Sequence, residues 1–117
     1  MGLGLSAGER RRAPRLPLDL AAHCQIGGSY SRSSVVDVSR SGLSLRTVGK
    51  IASGTPLQIA LALPFSEGPR FCSLSGTVVR STDEKVGIKL DPTVPRIDRE
   101  VLHGFVALLN ARYQSMQ

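Results

Sequence analysis

The sequence contains no tryptophan and few other aromatic residues, with three Phe and two Tyr among 117 residues. Single-stranded nucleic acids stack on aromatic rings, so this composition argues against a protein that binds them in that way. No apolar run approaches the roughly 20 residues that a membrane-spanning helix needs. The N-terminus has neither a basic segment nor enough apolar length for a signal peptide. We therefore expect a cytoplasmic protein that does not insert into a membrane.

Cysteine and histidine are also scarce, with two of each. Cys24 and Cys72 stand alone, and we expect both to be buried and to behave as small apolar side chains. His23 and His103 have no Cys, Asp or Glu partners at the spacing of metal ligands. The sequence also contains no nucleophile elbow and no pair of carboxylates set in an apolar pattern. It predicts neither an enzyme nor a cofactor.

Positive charge, in contrast, is in excess: 15 Lys and Arg residues against 9 Asp and Glu give a formal net charge of +6 at pH 7. Four arginines lie within residues 10–15, and the other basic residues are scattered. A protein that reads duplex DNA more often carries a basic stripe along a helix. Because the charge is local here, we expect an anionic ligand that is bound locally.

The spacing of apolar residues predicts an all-β fold. Apolar and polar residues alternate in six segments, which are 18–26, 30–38, 43–47, 57–63, 71–80 and 86–90. The Gly27-Gly28 pair predicts a two-residue hairpin turn between the first two. After Pro95 the apolar residues recur every three or four positions, which predicts a helix over about 99–113 with Asp98 as its N-cap and Ile97 as a hydrophobic staple.

These segments predict a six-stranded antiparallel β-barrel with one C-terminal α-helix. At 117 residues the chain has the size of a single domain. Residues 1–9 mix Gly, Ser and Leu without periodicity, so we expect a flexible tail there and one folded domain over residues 10–117.

Two short motifs contain the candidate ligand-binding residues. Arg11 and Arg15 frame an R-x-x-x-R, and Asp37, Ser39 and Gly42 frame a D-x-S-x-x-G. Guanidinium groups donate in pairs to phosphate oxygens or to the O6/N7 edge of guanine. A carboxylate accepts from the N–H face of guanine, a hydroxyl serves either partner, and a glycine permits a turn with a positive φ. Together these groups predict a site for a purine nucleotide that carries phosphates.

The predicted hairpin brings the two motifs together. If Gly27 and Gly28 close a two-residue turn, Leu18 lies opposite Asp37. Arg15 then lies about three residues, or on the order of 10 Å, from the Asp37 carboxylate. Either motif alone is explained by a solvated basic tail or by an ordinary β-turn. Their convergence at one end of one hairpin favours a binding site.

The two motifs, in this order and followed by a barrel-like strand pattern, resemble the PilZ domain, a bacterial receptor module for cyclic di-GMP. The resemblance covers nearly the whole chain. It implies that Arg11 and Arg15 grip phosphate and the Hoogsteen edge of guanine. It also implies that Asp37 accepts hydrogen bonds from guanine, that Ser39 contacts guanine or phosphate, and that Gly42 permits the turn.

Two further arginines are candidate ligand contacts. The resemblance implies that Arg10, just before the first motif, favours a stacked pair of ligands, because a basic residue at that position tends to accompany such a pair. Arg40 lies inside the second motif, where it is a candidate phosphate contact or a solvated turn residue. Neither motif departs from the family pattern.

The first hypothesis is a receptor that binds cyclic di-GMP, orders its N-terminal arginine arm and signals to an unidentified downstream protein. A second is a protein-interaction adaptor, PilZ-like in fold, whose output needs no nucleotide. A third, less favoured, is a small-barrel nucleic-acid binder that uses the arginines of residues 10–15 on phosphates. The broad apolar face of the predicted helix must bury against the barrel or against a second chain, which makes a homodimer a further candidate.

Overall fold

The computed structural model describes residues 16–46 and 50–115. In chain order these form β1 (Leu16–Ile26), β2 (Ser29–Val38), β3 (Gly42–Arg46), β4 (Pro56–Phe65), β5 (Gly68–Ser81), β6 (Lys85–Leu90) and α1 (Arg96–Ser115). All six strands are antiparallel to their neighbours and close a barrel in the order β1-β2-β3-β6-β5-β4, with β4 paired back to β1. The predicted barrel with a C-terminal helix is confirmed.

The barrel interior holds the alternating apolar side chains that define the strands in the sequence. Away from the irregular positions the strands send every second residue inward, so Leu43 and Leu45 of β3 are buried, as are Leu57, Ile59 and Leu61 of β4. Cys24 and Cys72 are buried free thiols inside this core, as predicted. Burial raises the pKa of both thiols.

The first hairpin follows the predicted register over most of its length. Gly27 adopts a φ of 61°, which a tight turn requires and which glycine accepts without strain. Residues pair as expected from Ile26 opposite Ser29 to Leu20 opposite Val35. An irregularity between Pro17 and Leu20 then places one extra residue on β1. The predicted pairing of Leu18 with Asp37 is therefore wrong, and Pro17 pairs with Asp37 instead.

The helix begins at Arg96, earlier than the sequence pattern predicts. The Arg99 amide donates to the Pro95 carbonyl over 3.1 Å, so the helical hydrogen bonds begin at Pro95. Asp98, expected as the N-cap, lies within the first turn, and its Oδ1 accepts a hydrogen bond of 3.0 Å from the Ser73 amide of β5. Ile97, the expected staple, is 72% exposed.

Helix α1 packs on the barrel through Leu102, Phe105 and Val106. The rings of Phe105 and Phe65 meet edge to face with centroids 5.9 Å apart. Phe65 ends β4, so the helix covers the end of the barrel at which β1 begins and β2 ends. Within the described residues, no helix combines the length and apolar character needed to cross a membrane.

Candidate ligand-binding site

Asp37 lies on the outer face of the barrel, near the end of β2. Its side chain is only 12% exposed, and the Nζ atom of Lys85 lies 3.5 Å from its Oδ2 atom. A carboxylate so far removed from water is costly unless a positive charge or hydrogen-bond donors compensate it. Lys85 supplies such a charge from β6 while its own side chain stays 54% exposed. An acceptor held in this way is suited to the N–H groups of a guanine.

Ser39 builds the turn that follows Asp37. The Ser39 amide donates to the Gly42 carbonyl over 2.8 Å, and the Ser39 hydroxyl donates to the same oxygen over 3.3 Å. The residue is 3% exposed. These bonds confirm the turn predicted from the sequence. A contact between Ser39 and a ligand stays a prediction.

Gly42 is required for close packing and not for an unusual φ. Among the described glycines, positive φ angles occur at Gly27, Gly54 and Gly68, so the predicted positive φ at Gly42 is wrong. A Cβ atom at Gly42 would instead overlap the backbone carbonyl oxygen of Ile88 on the neighbouring strand β6. The glycine therefore allows β3 and β6 to approach each other directly behind the turn.

Arg40 links this turn to the helix. The Nε2 atom of His103 on α1 lies 3.1 Å from the Arg40 backbone carbonyl oxygen. A carbonyl only accepts, so the imidazole donates through Nε2–H. Arg40 itself is exposed, and its proposed phosphate contact stays a prediction. The sequence spacing excluded His103 only as a metal ligand, and this contact joins segments too far apart in the chain for local spacing to predict it.

The R-x-x-x-R motif lies outside the described residues, as do Arg10 and the predicted tail of residues 1–9. The structure does give the strand register at the start of β1, directly after this motif. Because Pro17 pairs with Asp37, Arg15 is two residues along the chain from the partner of Asp37, one fewer than the predicted hairpin allowed.

The strands next to Asp37 add residues that the motifs did not reveal. Asp37 pairs with Ser44 of β3, and Ser44 pairs with Gly87 of β6. Gly87 in turn pairs with Arg80 of β5. Residues directly opposite each other on antiparallel strands share a face, so these four form one row on the outside of the barrel. No local spacing in the sequence predicts this row, since it depends on the pairing of β3 with β6.

Two cavities among the described residues lie away from this row. A cavity of about 510 Å³ lies at the far mouth of the barrel, lined by residues that include Ile26, Ser31 and Ile51. A groove of about 410 Å³ lies outside β1, β4 and β5, where Phe71 and Asp98 line it. Neither is lined by a residue of the D-x-S-x-x-G motif. Within residues 16–46 and 50–115, no group of three or more His, Cys, Asp or Glu could hold a metal.

The sequence matches the PilZ domain family over residues 9–108. No curated protein matches the chain. Solved structures with a similar fold include the following three. The Bacillus subtilis inhibitor of motility MotI/DgrA superposes with a TM-score of 0.77 at 18% identity. The superposition covers 88% of this chain and 52% of the MotI/DgrA chain. The chain thus spans about half the length of MotI/DgrA.

The PilZ domain of CeSA, from a cellulose-synthesizing bacterium, superposes with a TM-score of 0.61 at 15% identity, over 86% of this chain and 98% of its own. The Borreliella burgdorferi PlzA protein, solved in complex with cyclic di-GMP, superposes with a TM-score of 0.56 at 20% identity, over 88% of this chain and 44% of its own. At these identities the three structures show a shared fold.

Proposed function

The chain belongs to the PilZ domain family, a family of cyclic di-GMP receptors, and on this premise we propose that it binds cyclic di-GMP on the outer face of the barrel around Asp37. The observation that carries the proposal is the Asp37 carboxylate, 12% exposed and 3.5 Å from the Lys85 ammonium, beside the turn that Ser39 and Gly42 close. A solved neighbour, PlzA, was crystallised with this ligand.

In this proposal both motifs contact the guanine and phosphate groups of the ligand. Asp37 accepts hydrogen bonds from the N–H groups of one guanine, and Ser39 contacts guanine or phosphate. Arg11 and Arg15 donate to phosphate oxygens and to the Hoogsteen edge of guanine. Arg10 and Arg40 are the additional candidates for phosphate contacts. No chemical step on the ligand is part of the proposal, which describes a receptor and not an enzyme.

Signalling requires that binding change a surface that another protein reads. We propose that residues 8–16 become ordered over the bound ligand and that the ordered arm, with the adjoining turn, forms that surface. The bond between His103 and the Arg40 carbonyl gives the turn a direct contact with α1. The partner is an unidentified protein, with a second copy of this chain through α1 as a further candidate. The proposal keeps the cytoplasm as the location.

A protein-interaction adaptor that needs no nucleotide is the second candidate. Phe71 is 77% exposed and Ile97 is 72% exposed, and Phe71 lines a groove together with Asp98, the neighbour of Ile97. An exposed phenylalanine beside a groove offers an apolar contact to a protein partner. Ligand binding distinguishes the two candidates, because the adaptor reading predicts none.

Titration calorimetry on the wild-type chain tests the proposal. We expect binding of cyclic di-GMP with a Kd near 1 μM, about −8 kcal/mol. Cyclic di-AMP, which has the same ring and phosphates but lacks the guanine N–H donors, should bind more weakly. Arg11→Ala and Arg15→Ala should each weaken binding by roughly tenfold or more. Arg96→Ala, which removes an equal charge from the exposed start of α1, is the matched control and should bind normally.

Amide exchange tests the ordering of the arm. Exchange across residues 8–16 should slow when cyclic di-GMP is saturating. Full occupancy with unchanged exchange in that segment would remove arm ordering from the proposal. No heat at roughly hundreds of micromolar ligand would remove cyclic di-GMP binding itself and favour the adaptor.

A further inference from the structure

Arg80 stands at the end of the row that starts with Asp37. The row crosses β2, β3, β6 and β5 through successive pairs, so Arg80 is three strands from Asp37 on the same outer face. Strands lie about 4.8 Å apart, which places the backbones of the two residues roughly 14 Å from each other. Judged by its backbone position alone, Arg80 is an exposed arginine outside the site.

The side chain of Arg80, however, lies along the sheet toward Asp37. A Cβ atom on Gly87 would stand 3.2 Å from Cγ and 3.3 Å from Nε of Arg80. Arg80 therefore crosses the backbone of Gly87, and a Cβ atom there would push its side chain aside by a few tenths of an ångström. Its guanidinium group then lies about two strand spacings, or roughly 10 Å, from the Asp37 backbone. Glycine at position 87 makes this arrangement possible.

Among the described residues, no carboxylate forms an ion pair with the Arg80 guanidinium. The ion pairs of the described residues are Lys85 with Asp37 and Arg96 with Glu100, so Arg80 has no carboxylate partner among them. Lys85 and Arg80 thus place two cations on the β6 and β5 side of Asp37 and Ser44. Strand β1, which follows the R-x-x-x-R segment in the chain, lies on the other side of β2.

From this geometry we infer that Arg80 is a further ligand-binding residue, which contacts a phosphate of the bound cyclic dinucleotide across Gly87. The inference rests on the proposed function and assigns the ligand's position: it extends from Asp37 over Ser44 and Gly87 toward β5. A cyclic dinucleotide carries two separate phosphates. One of them faces Arg80 in this arrangement.

Calorimetry on the full chain with cyclic di-GMP tests the inference. Arg80→Ala should weaken binding by about tenfold, since a hydrogen bond to a charged group contributes about 1.5–3 kcal/mol and part of this contact is exposed to solvent. Arg80→Lys should lose less, because lysine still presents a point charge to a phosphate. The loss in Arg80→Ala should shrink at high salt. Arg70→Ala is the matched control, an exposed arginine on the same strand whose guanidinium lies 5.3 Å from the Phe65 ring, and it should bind normally.

Gly87→Ala supplies an independent test without removing a charge. The three atoms nearest to the new methyl group all belong to Arg80, so the substitution should shift the Arg80 side chain and weaken binding. In the Arg80→Ala background the same change should cost nothing further. Thermal melts check that each variant is folded.

The outcomes separate the inference from the proposed function. Normal binding by Arg80→Ala, with a wild-type chain that binds, would overturn the inference and leave the proposed function intact. Equal losses in Arg80→Ala and Arg80→Lys, insensitive to salt, would overturn the phosphate assignment. A wild-type chain that does not bind would overturn both.

Discussion

The Lys85 ammonium on β6 lies 3.5 Å from the Asp37 carboxylate on β2, across the single strand β3 that separates them. Because the carboxylate is largely buried, its attraction to the half-exposed lysine mainly offsets the cost of removing Asp37 from water and adds little net stability. The pair therefore matters more for the charge of the surface than for the fold. It holds an acceptor and a cation side by side where the proposed ligand offers both N–H donors and phosphate.

Asp37→Ala should weaken the binding of cyclic di-GMP by roughly tenfold to a hundredfold and narrow its preference over cyclic di-AMP, because the carboxylate is the group that recognises the guanine N–H face. Calorimetry with both ligands measures the two effects. Asp83→Ala, in the exposed turn between β5 and β6, removes the same charge and is the control. If the Asp37→Ala variant keeps the wild-type ratio of Kd values for cyclic di-GMP and cyclic di-AMP, another residue recognises the guanine.

Gly42→Ala should destabilise the domain by about 3 kcal/mol or more. The added methyl group would overlap the Ile88 carbonyl, which belongs to backbone and can move only if β3 and β6 separate. Gly28→Ala is the matched control, since a Cβ there meets no atom within 4 Å. Urea denaturation of both variants measures the difference. Equal stability of the two would mean that β6 does not approach Gly42 as closely as the structure indicates.

Gly104→Ala should stabilise the domain by about 0.5–1 kcal/mol. Alanine is the better helix former, and its methyl group would make ordinary contacts of 3.9 Å with the Phe65 ring. Ala107→Gly, at an exposed position of the same helix, should lower the free energy of unfolding by a similar amount. It serves as the reference for the difference between alanine and glycine in this helix. Urea midpoints compared at equal m-values give both numbers. A destabilised Gly104→Ala variant would contradict the described packing of α1 on Phe65.

The stability of the domain should fall as pH rises from about 9 toward 11. Burial, with a smaller effect from the Asp98 carboxylate, raises the pKa of the Cys72 thiol from 9.0 to about 11. In that range the unfolded chain has lost a proton that the folded chain still holds, so the free energy of unfolding decreases with pH, by on the order of 2 kcal/mol. Cys72→Ala should be less stable at neutral pH but lack this part of the slope. Parallel pH profiles of the two proteins would exclude Cys72 as the cause.

The sequence predicted the features that depend on local pattern. Alternation of apolar residues located the strands, and Gly27-Gly28 set the register of the first hairpin as far as Leu20. The extra residue between Pro17 and Leu20 left no such signal, so the partner of Asp37 was predicted one position away.

The remaining differences come from contacts between distant segments. The need for Gly42 arises from the carbonyl of Ile88, and the charge beside Asp37 comes from Lys85. Both depend on the pairing of β3 with β6, which no local spacing encodes. The D-x-S-x-x-G motif thus predicted which residues form the turn, whereas the row from Asp37 to Arg80 required the closed barrel.

Chemical-shift mapping of the amides during a titration with cyclic di-GMP tests the central claim most directly, because it reports where on the barrel the ligand lies. We expect saturable shifts at Asp37, at the turn of residues 39–42, at Ser44 and at Gly87, with little change at Ala60 and Ser73 on the other side of the barrel. Shifts that cluster at Ala60 and Ser73, or no shifts at roughly hundreds of micromolar ligand, would contradict a cyclic di-GMP site at Asp37.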